Sequence, residues 1–235
     1  MIRERLLQVR ERITAAAARS GRSADDVTLI AVSKTFPADR VVDAFAAGQR
    51  VFGENRVQEA LAKIPEVAAS LPGDDAPEWH LIGPLQRNKA RRAVEIFDVI
   101  HSVDRPELAR AIDRAAAAGG RRMRVLLQVN VDREPQKAGV APEDAPALLR
   151  CVRECAALEP TGLMAIPRAC SDPEEVRPSF ARLCELLGEL QAAEPGLPGF
   201  VDLSMGMSAD FEVAIEEGST QVRVGTAVFG RRDAK

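Results

Sequence analysis

Val27-Thr-Leu-Ile-Ala-Val-Ser-Lys34-Thr-Phe-Pro37 is a near-continuous run of apolar and β-branched residues that ends in a lysine and is closed by a proline. A run with no polar face reads as a strand covered on both sides, as in parallel sheets, with Lys34 at its C-terminal end. An ammonium beside low-dielectric material is disfavoured in its charged form, which lowers its pKa and frees the amine as a nucleophile for a carbonyl. The plainer reading is a lysine that reaches from the strand end into water.

Seven further segments read as strands: Arg50–Glu54, Trp79–Gly83, Val99–Asp104, Arg124–Asn130, Pro160–Ile166, Phe200–Ser204 and Gln221–Phe229. Between them lie helical patterns at Ala38–Ala47, Val57–Ala69, Asn88–Phe97, Pro106–Ala118, Pro142–Ala157, Pro173–Ala193 and Ala209–Glu216, commonly opened by proline or aspartate and closed by glycine. An amphipathic, charged helix precedes them, running to about Arg19 and stopped by Ser20-Gly21. This alternation predicts an α/β fold, a single (β/α)8 TIM-type barrel with an extra N-terminal helix, spanning residues 1–235 as one domain. The competing open, doubly wound sheet would carry Gly-x-Gly-x-x-Gly after a strand, and that motif is absent. Leu71-Pro-Gly-Asp-Asp-Ala-Pro77 reads as a loop of ordinary size, so no linker divides the chain.

Composition narrows the function. With 46% hydrophobic residues among 235, a sizeable core can form, and a net charge of -3 provides no overall attraction to nucleic acid or anionic lipid. The N-terminus lacks the apolar segment of a signal peptide and no run is long enough to span a bilayer, so a cytoplasmic protein with neither nucleic acid nor membrane as partner is expected. Cys151, Cys155, Cys170 and Cys184 form no Cys-x-x-Cys pair, and two histidines complete the soft donors, which argues against a zinc site.

In barrels of this kind the chemistry gathers at the C-terminal strand ends. The residues there are polar throughout: Lys34, Glu54-Asn55, His80, His101-Ser102, Gln128, Asn130, Ser204, then Arg223 with Gly225-Thr226. Together they suggest a lined pocket. Leu203-Ser-Met-Gly-Met-Ser-Ala-Asp210 passes from strand seven through a glycine into a helix for which Ser208 is the natural N-cap, offering free N–H groups and two hydroxyls to an anion. Val222-Arg-Val-Gly-Thr226 adds a glycine that permits close backbone approach and a threonine hydroxyl. Loops after strands seven and eight are where barrel enzymes commonly hold phosphate; an ordinary N-cap and a tight turn are the plainer account of each.

Arg223 and Gly225 alternate with Val222 and Val224 and so share a face. If that face is the barrel interior, Arg223 is a buried cation that must be paired, for instance with Glu54, or used. A lysine amine, a phosphate cradle and an inward arginine together describe pyridoxal 5'-phosphate: an imine (Schiff base) at Lys34, the phosphate on the loops of Ser204 and Thr226, the ring nitrogen facing Arg223.

Ala31-Val-Ser-Lys34, Phe52-Gly-Glu-Asn-Arg-Val-Gln-Glu59, Trp79-His-Leu-Ile-Gly-Pro-Leu-Gln-Arg-Asn-Lys89, Ile100-His-Ser-Val-Asp104, Gly162-Leu-Met-Ala165, Leu203–Asp210 and Arg223-Val-Gly-Thr226 closely resemble the pyridoxal-phosphate homeostasis proteins, across almost the whole chain. The resemblance implies a barrel similar to the N-terminal domain of alanine racemases, with Lys34 as the cofactor lysine. It also implies phosphate contacts from Ser204, Ser208, Gly225 and Thr226, Arg223 at the pyridine nitrogen, and Asn55 lining the cofactor. Lys137 falls where this family often carries another lysine. His80 and His101 read as satisfied core histidines, and no residue is assigned a catalytic role.

A racemase acting through an imine needs a base on each face of the cofactor, and in alanine racemases the second is a tyrosine from a further domain. This chain contains no tyrosine. An arginine at the ring nitrogen, which keeps that nitrogen unprotonated, also weakens the ring as an electron sink. A Schiff-base lyase using Lys34 directly on a sugar phosphate is a second reading, and a ligand-free interaction module a third. The expectation is a non-catalytic carrier, monomeric, that holds pyridoxal phosphate reversibly and buffers it or passes it to pyridoxal-phosphate-dependent apoenzymes.

Overall fold

In the computed structural model, which describes residues 1–71, 75–168 and 170–230, parallel strands close into a barrel in sequence order: β1 (Thr28–Val32), β2 (Val51–Glu54), β3 (Glu78–Leu81), β4 (Val99–Val103), β5 (Met123–Val129), β6 (Leu158–Ala165), β7 (Asp202–Met207) and β8 (Gln221–Val224). The expected (β/α)8 barrel is therefore present. Helices α1 (Ile2–Arg19), α2 (Ala38–Ala46), α3 (Val57–Ser70), α4 (Ala90–Ile96), α5 (Pro106–Ala118), α6 (Ala145–Arg153), α7 (Arg177–Ala193), α8 (Phe211–Glu216) and α9 (Thr226–Phe229) surround it. Three of the expected helices begin with a 3-10 turn, at Arg87–Lys89, Pro142–Asp144 and Pro173–Val176. The loop expected at Leu71–Pro77 lies partly outside the described residues. No described helix is long and apolar enough to cross a membrane.

Two strand ends differ from the reading of the sequence. Gln221–Phe229 is a strand only to Val224, because β1, its ladder partner through Ala31, leaves the barrel after Val32. The chain then turns at Gly225 into α9. β7 runs on to Met207 instead of stopping at Ser204, since an extra residue is accommodated there: Ser204 pairs with Gln221 but Met207 with Arg223. Gly206, at φ 90°, sits in this bulge. The following helix consequently starts at Phe211 with Asp210 as its N-cap, so Ser208 is not a cap.

Alternation along each strand divides the apolar material into two layers. Residues such as Phe52, Trp79, Leu81, Ile100, Leu127, Leu163, Leu203 and Val222 face outward into the main core beneath the helices. Inside the barrel the apolar content is much smaller, with Val99, Leu126 and Met164 forming a separate cluster. Since α9 spans only Thr226–Phe229 it covers little of β8, and α1 packs against α8, α9 and α2 with Ile2, Leu6, Val9, Ile13, Ala16 and Ala17 buried. Arg12 fastens it, donating to Glu212 at 3.0 and 2.7 Å while lying 4.4 Å over the Phe211 ring. The charged N-terminal helix is thus part of the barrel wall.

Candidate functional site

Lys34 stands two residues beyond β1, in a turn closed by the Phe36 N–H donating to the Ser33 carbonyl at 3.1 Å. The turn is tied down on three sides. Ser33 N–H donates to Gly53 O at 3.0 Å, Lys63 Nζ of α3 donates to Ser33 O at 2.7 Å, and the Phe36 ring stacks on Phe229 of α9 at 5.0 Å. Thr35, the third residue of the turn, has φ 66°, a region that β-branched side chains avoid. Thr35→Gly is accordingly expected to raise stability by about 1 kcal/mol; an unchanged or lower urea midpoint would show that the turn carries no such strain.

The support beneath this turn is a buried ion pair. Glu54, fully buried, accepts from Lys63 Nζ at 2.6 Å and from the Ser33 hydroxyl at 2.7 Å, both at Oε1, while Oε2 has no partner among the described residues. Burial pushes the Glu54 carboxyl up, and Lys63 draws it back. Glu54 therefore serves Lys63 and is not the counter-ion of Arg223.

The opposite wall comes from the bulge after β7 and the turn after β8. The Ser208 hydroxyl accepts from the Gly225 N–H at 3.2 Å, joining the two loops, and Asp210 Oδ1 accepts from the Met207 N–H at 2.5 Å. Gly225 caps α9: its carbonyl accepts from the Val228 and Phe229 N–H groups at 3.0 and 2.9 Å, which leaves the Thr226 and Ala227 N–H groups without an acceptor among the described residues. Between this wall and the Lys34 turn lies a cavity of ≈ 320 Å³ lined by Val32, Lys34, Asn55, Ile82, Ile166, Met207, Ser208, Ala209, Arg223, Gly225 and Thr226. That volume falls within the about 300–1,000 Å³ of small-molecule sites.

Arg223 forms part of the floor. It is buried, and donates from Nη1 to the Ser204 carbonyl and hydroxyl, each at 2.6 Å, and from Nη2 to Ala165 O at 2.8 Å. Burial lowers its pKa to about 10, with Asp210 pulling the other way. It stays cationic at neutral pH, and those three bonds account for three of the five N–H donors of a guanidinium.

Six of the seven expected site residues, Lys34, Asn55, Ser208, Arg223, Gly225 and Thr226, meet at this cavity. Ser204 does not line it. Its side chain is fully buried beneath Arg223 and is also bonded to His101 Nδ1 at 2.9 Å, because the β7 bulge places Met207 and Ser208 at the surface and leaves Ser204 inside. The wider set of polar strand ends is likewise divided. His80 and His101 are buried within the barrel, while Gln128 and Asn130 bind Ala138 O and Glu134 O of the loop after β5. Lys137 pairs with Glu134 at 2.7 Å and is not among the lining residues. Sequence reasoning missed the apolar rim of Ile82, Ile166 and Met207, for which position next to a strand end was the available signal. It also missed Lys63, which one turn-and-a-half of helix after Val57 brings under the Ser33 carbonyl.

His101 is held neutral, well below the ordinary imidazole range, by burial first and then by His80, Arg223 and Arg124. An unfolded chain takes up this proton below about pH 6.5 and the folded one does not, so stability should fall on acidification by about 1.4 kcal/mol per pH unit below that point. Urea midpoints measured from pH 7.5 to 5 should show this slope, reduced in His101→Gln; an equal slope in both would refute it.

Comparison with known proteins finds relatives that match almost the whole chain. The family described as alanine racemase, N-terminal domain, matches residues 5–233. The chain is similar to the pyridoxal phosphate homeostasis protein of Pseudomonas aeruginosa, with 48% identity over 233 residues that make up 99% of this chain and 96% of that one. It is also similar to the protein of the same description from Escherichia coli K12, 43% identical over 236 residues, 99% of this chain and 97% of that one. Among solved structures, PipY of Synechococcus elongatus with PLP bound superposes with a TM-score of 0.84 at 44% identity, covering 98% of this chain and 100% of that one.

Proposed function

We propose that this chain, which belongs to the alanine racemase N-terminal domain family and within it to the pyridoxal phosphate homeostasis proteins, holds pyridoxal 5'-phosphate reversibly at Lys34 as a carrier. The observation that carries the reading is that Lys34, the Ser208/Gly225/Thr226 turns and Arg223 line one cavity. Bound pyridoxal phosphate supplies an aldehyde, with which a lysine amine condenses to a Schiff base, releasing water. The chain's own residues supply the rest. The Ser208 and Thr226 hydroxyls with the Thr226 and Ala227 N–H groups suit a phosphate, and the remaining Arg223 donors suit a ring nitrogen. Asn55, whose amide has no hydrogen-bond partner among the described residues, suits a polar edge, and the Ile82, Ile166 and Met207 side chains exclude water.

A carrier is favoured over a racemase by the lining itself: besides Lys34 and Arg223 it contains no ionisable side chain among the described residues, and the chain has no tyrosine. A second proton-transfer group facing Lys34 is what racemisation would require. Exchange with pyridoxal-phosphate-dependent apoenzymes in the cytoplasm completes the reading, and the four free cysteines accord with a reducing compartment.

The test is chemical. Protein incubated with pyridoxal phosphate and reduced with borohydride should carry one pyridoxyl group on Lys34 by peptide mass spectrometry, and Lys34→Ala should carry none there. Labelling that ignores Lys34 would end the proposal. Incubation with L- and D-alanine should give no racemisation at an enzyme's ordinary rate.

A further inference from the structure

The stretch Gln86-Arg-Asn-Lys89 has no part in the site described above, yet it borders it. A second cavity, of ≈ 670 Å³, shares Asn55 with the Lys34 cavity. Its walls are the turn from β2 into α3, with Arg56, Gln58 and Glu59, and the turn from β3 into α4, with Gln86 and Lys89. Gly83 lets the two turns touch, since a Cβ there would run into the Asn55 carbonyl, and the buried Leu85 side chain pins the second turn to the core. The volume falls within the about 300–1,000 Å³ of small-molecule sites, but the lining is mostly polar where such sites are mostly apolar.

Both signs of charge line this cleft. Lys89 is half-buried, and neither its ammonium nor the side-chain amides of Gln58 and Gln86 have a partner among the described residues. Glu59 is placed by two neighbours: Oε2 accepts from the Thr35 N–H at 3.4 Å, and Oε1 lies 3.5 Å from Arg56 Nη1. Both contacts are long, and a carboxylate offers about four lone-pair positions, so Glu59 keeps room for a closer donor. A dianion such as phosphate would gain Lys89 and Arg56 but be repelled by Glu59. A simple amine would gain Glu59 but be repelled by both cations. A molecule that carries one charge of each sign on neighbouring atoms meets partners on both walls.

We infer that this cleft is a binding site for a zwitterionic α-amino acid with a polar, uncharged side chain, separate from the Lys34 cavity and adjoining it at Asn55. Lys89, with Arg56 beside it, holds the carboxylate. Glu59 holds the ammonium, and the Gln58 and Gln86 amides, which can both donate and accept, hold the polar side chain. Since Glu59 also accepts from the N–H of Thr35, the residue after Lys34, a bound ammonium lies one hydrogen bond away from the turn that carries the lysine.

Amide spectra of 15N-labelled, cofactor-free protein read the site directly. L-Serine should shift the signals of Gln58, Glu59 and Gln86 and leave those of Gly225 and Thr226 in place. Ethanolamine, which lacks the carboxylate, and 3-hydroxypropionate, which lacks the ammonium, should each bind about tenfold more weakly, the loss of one charged hydrogen bond in a partly exposed cleft. Lys89→Gln should weaken L-serine about tenfold and leave ethanolamine unchanged, whereas Glu59→Gln should weaken L-serine about tenfold and leave 3-hydroxypropionate unchanged. Residues with a merely structural part would not sort the two analogues in this way. Shifts centred on Gly225 and Thr226, equal binding of the three compounds, or no binding of L-serine would each overturn the inference. The two analogues decide the question on the wild type even where a variant does not fold. The outcome is independent of the carrier reading: protein that binds L-serine here but is not labelled at Lys34 loses only the carrier, and protein labelled at Lys34 that ignores L-serine loses only this site.

Discussion

Replacing Lys63 with methionine is expected to destabilise the protein by about 3–5 kcal/mol, a fall in Tm of roughly 10 °C for a chain of this size. The reason is the carboxylate it leaves behind. Glu54 is fully buried, and Lys63 is its one cationic partner among the described residues, at 2.6 Å. Without that cation the Glu54 pKa rises further above its ordinary value. A folded-state pKa above the unfolded one means that the folded chain retains a proton the unfolded chain has lost, so the stability of the variant should decline as pH increases from about 5 to 8. Glu54→Gln added to Lys63→Met should flatten that dependence and restore part of the Tm. Function should suffer as well, since Lys63 also holds the carbonyl of Ser33, one residue before Lys34, and the borohydride-trapped fraction at Lys34 should form more slowly. A Tm within about 3 °C of wild type would mean that the pair contributes little.

Gly206→Ala should be comparably damaging, for a different reason. Gly206 holds φ 90°, and a Cβ there would meet Ala214 Cβ at 2.6 Å and Phe211 Cα at 2.9 Å. The backbone conformation costs about 1–2 kcal/mol for a residue with a side chain, and crowding adds about 1–3 kcal/mol. The strand and α8 must then separate or the bulge must flatten. Either response moves Met207 and Ser208, and with them the Ser208 hydroxyl that joins the β7 and β8 turns. The preference for pyridoxal phosphate over unphosphorylated pyridoxal should therefore decrease by tenfold or more, by the energy of about one charged hydrogen bond. Retention of both stability and that preference would show that the bulge does not set the phosphate side of the site.

The barrel was legible because its signals are local. Apolar runs such as Val27–Val32 need cover on both faces, and helical patterns between them supply it, so strand order and number follow without any knowledge of side-chain contacts. Lys34, Asn55, Arg223, Gly225 and Thr226 were legible for the same reason: in a parallel barrel all C-terminal strand ends lie on one rim. Ser208 reached the cavity, although not as the helix cap its spacing suggested.

What was not legible depended on register and on reach across the barrel. One extra residue between Ser204 and Met207 decides that Ser204 turns inward beneath Arg223 while Ser208 faces the cavity, and nothing in Leu203–Asp210 announces a bulge beyond a glycine. Arg223 and Glu54 both belong to strands of the same barrel, yet they face different layers. Arg223 lies inside with Ser204, whereas Glu54 lies outside with Lys63 of α3.

From the sequence alone, then, came the closed eight-stranded architecture, the amine at the end of its first strand and the rim that the amine shares, because hydrophobic period and strand polarity are properties of neighbouring residues. The tertiary structure decided which polar groups are spent holding others and which are left for a ligand, because a hydrogen bond between residues 21 or 103 positions apart, as from His101 to His80 and to Ser204, exists only once the barrel has closed.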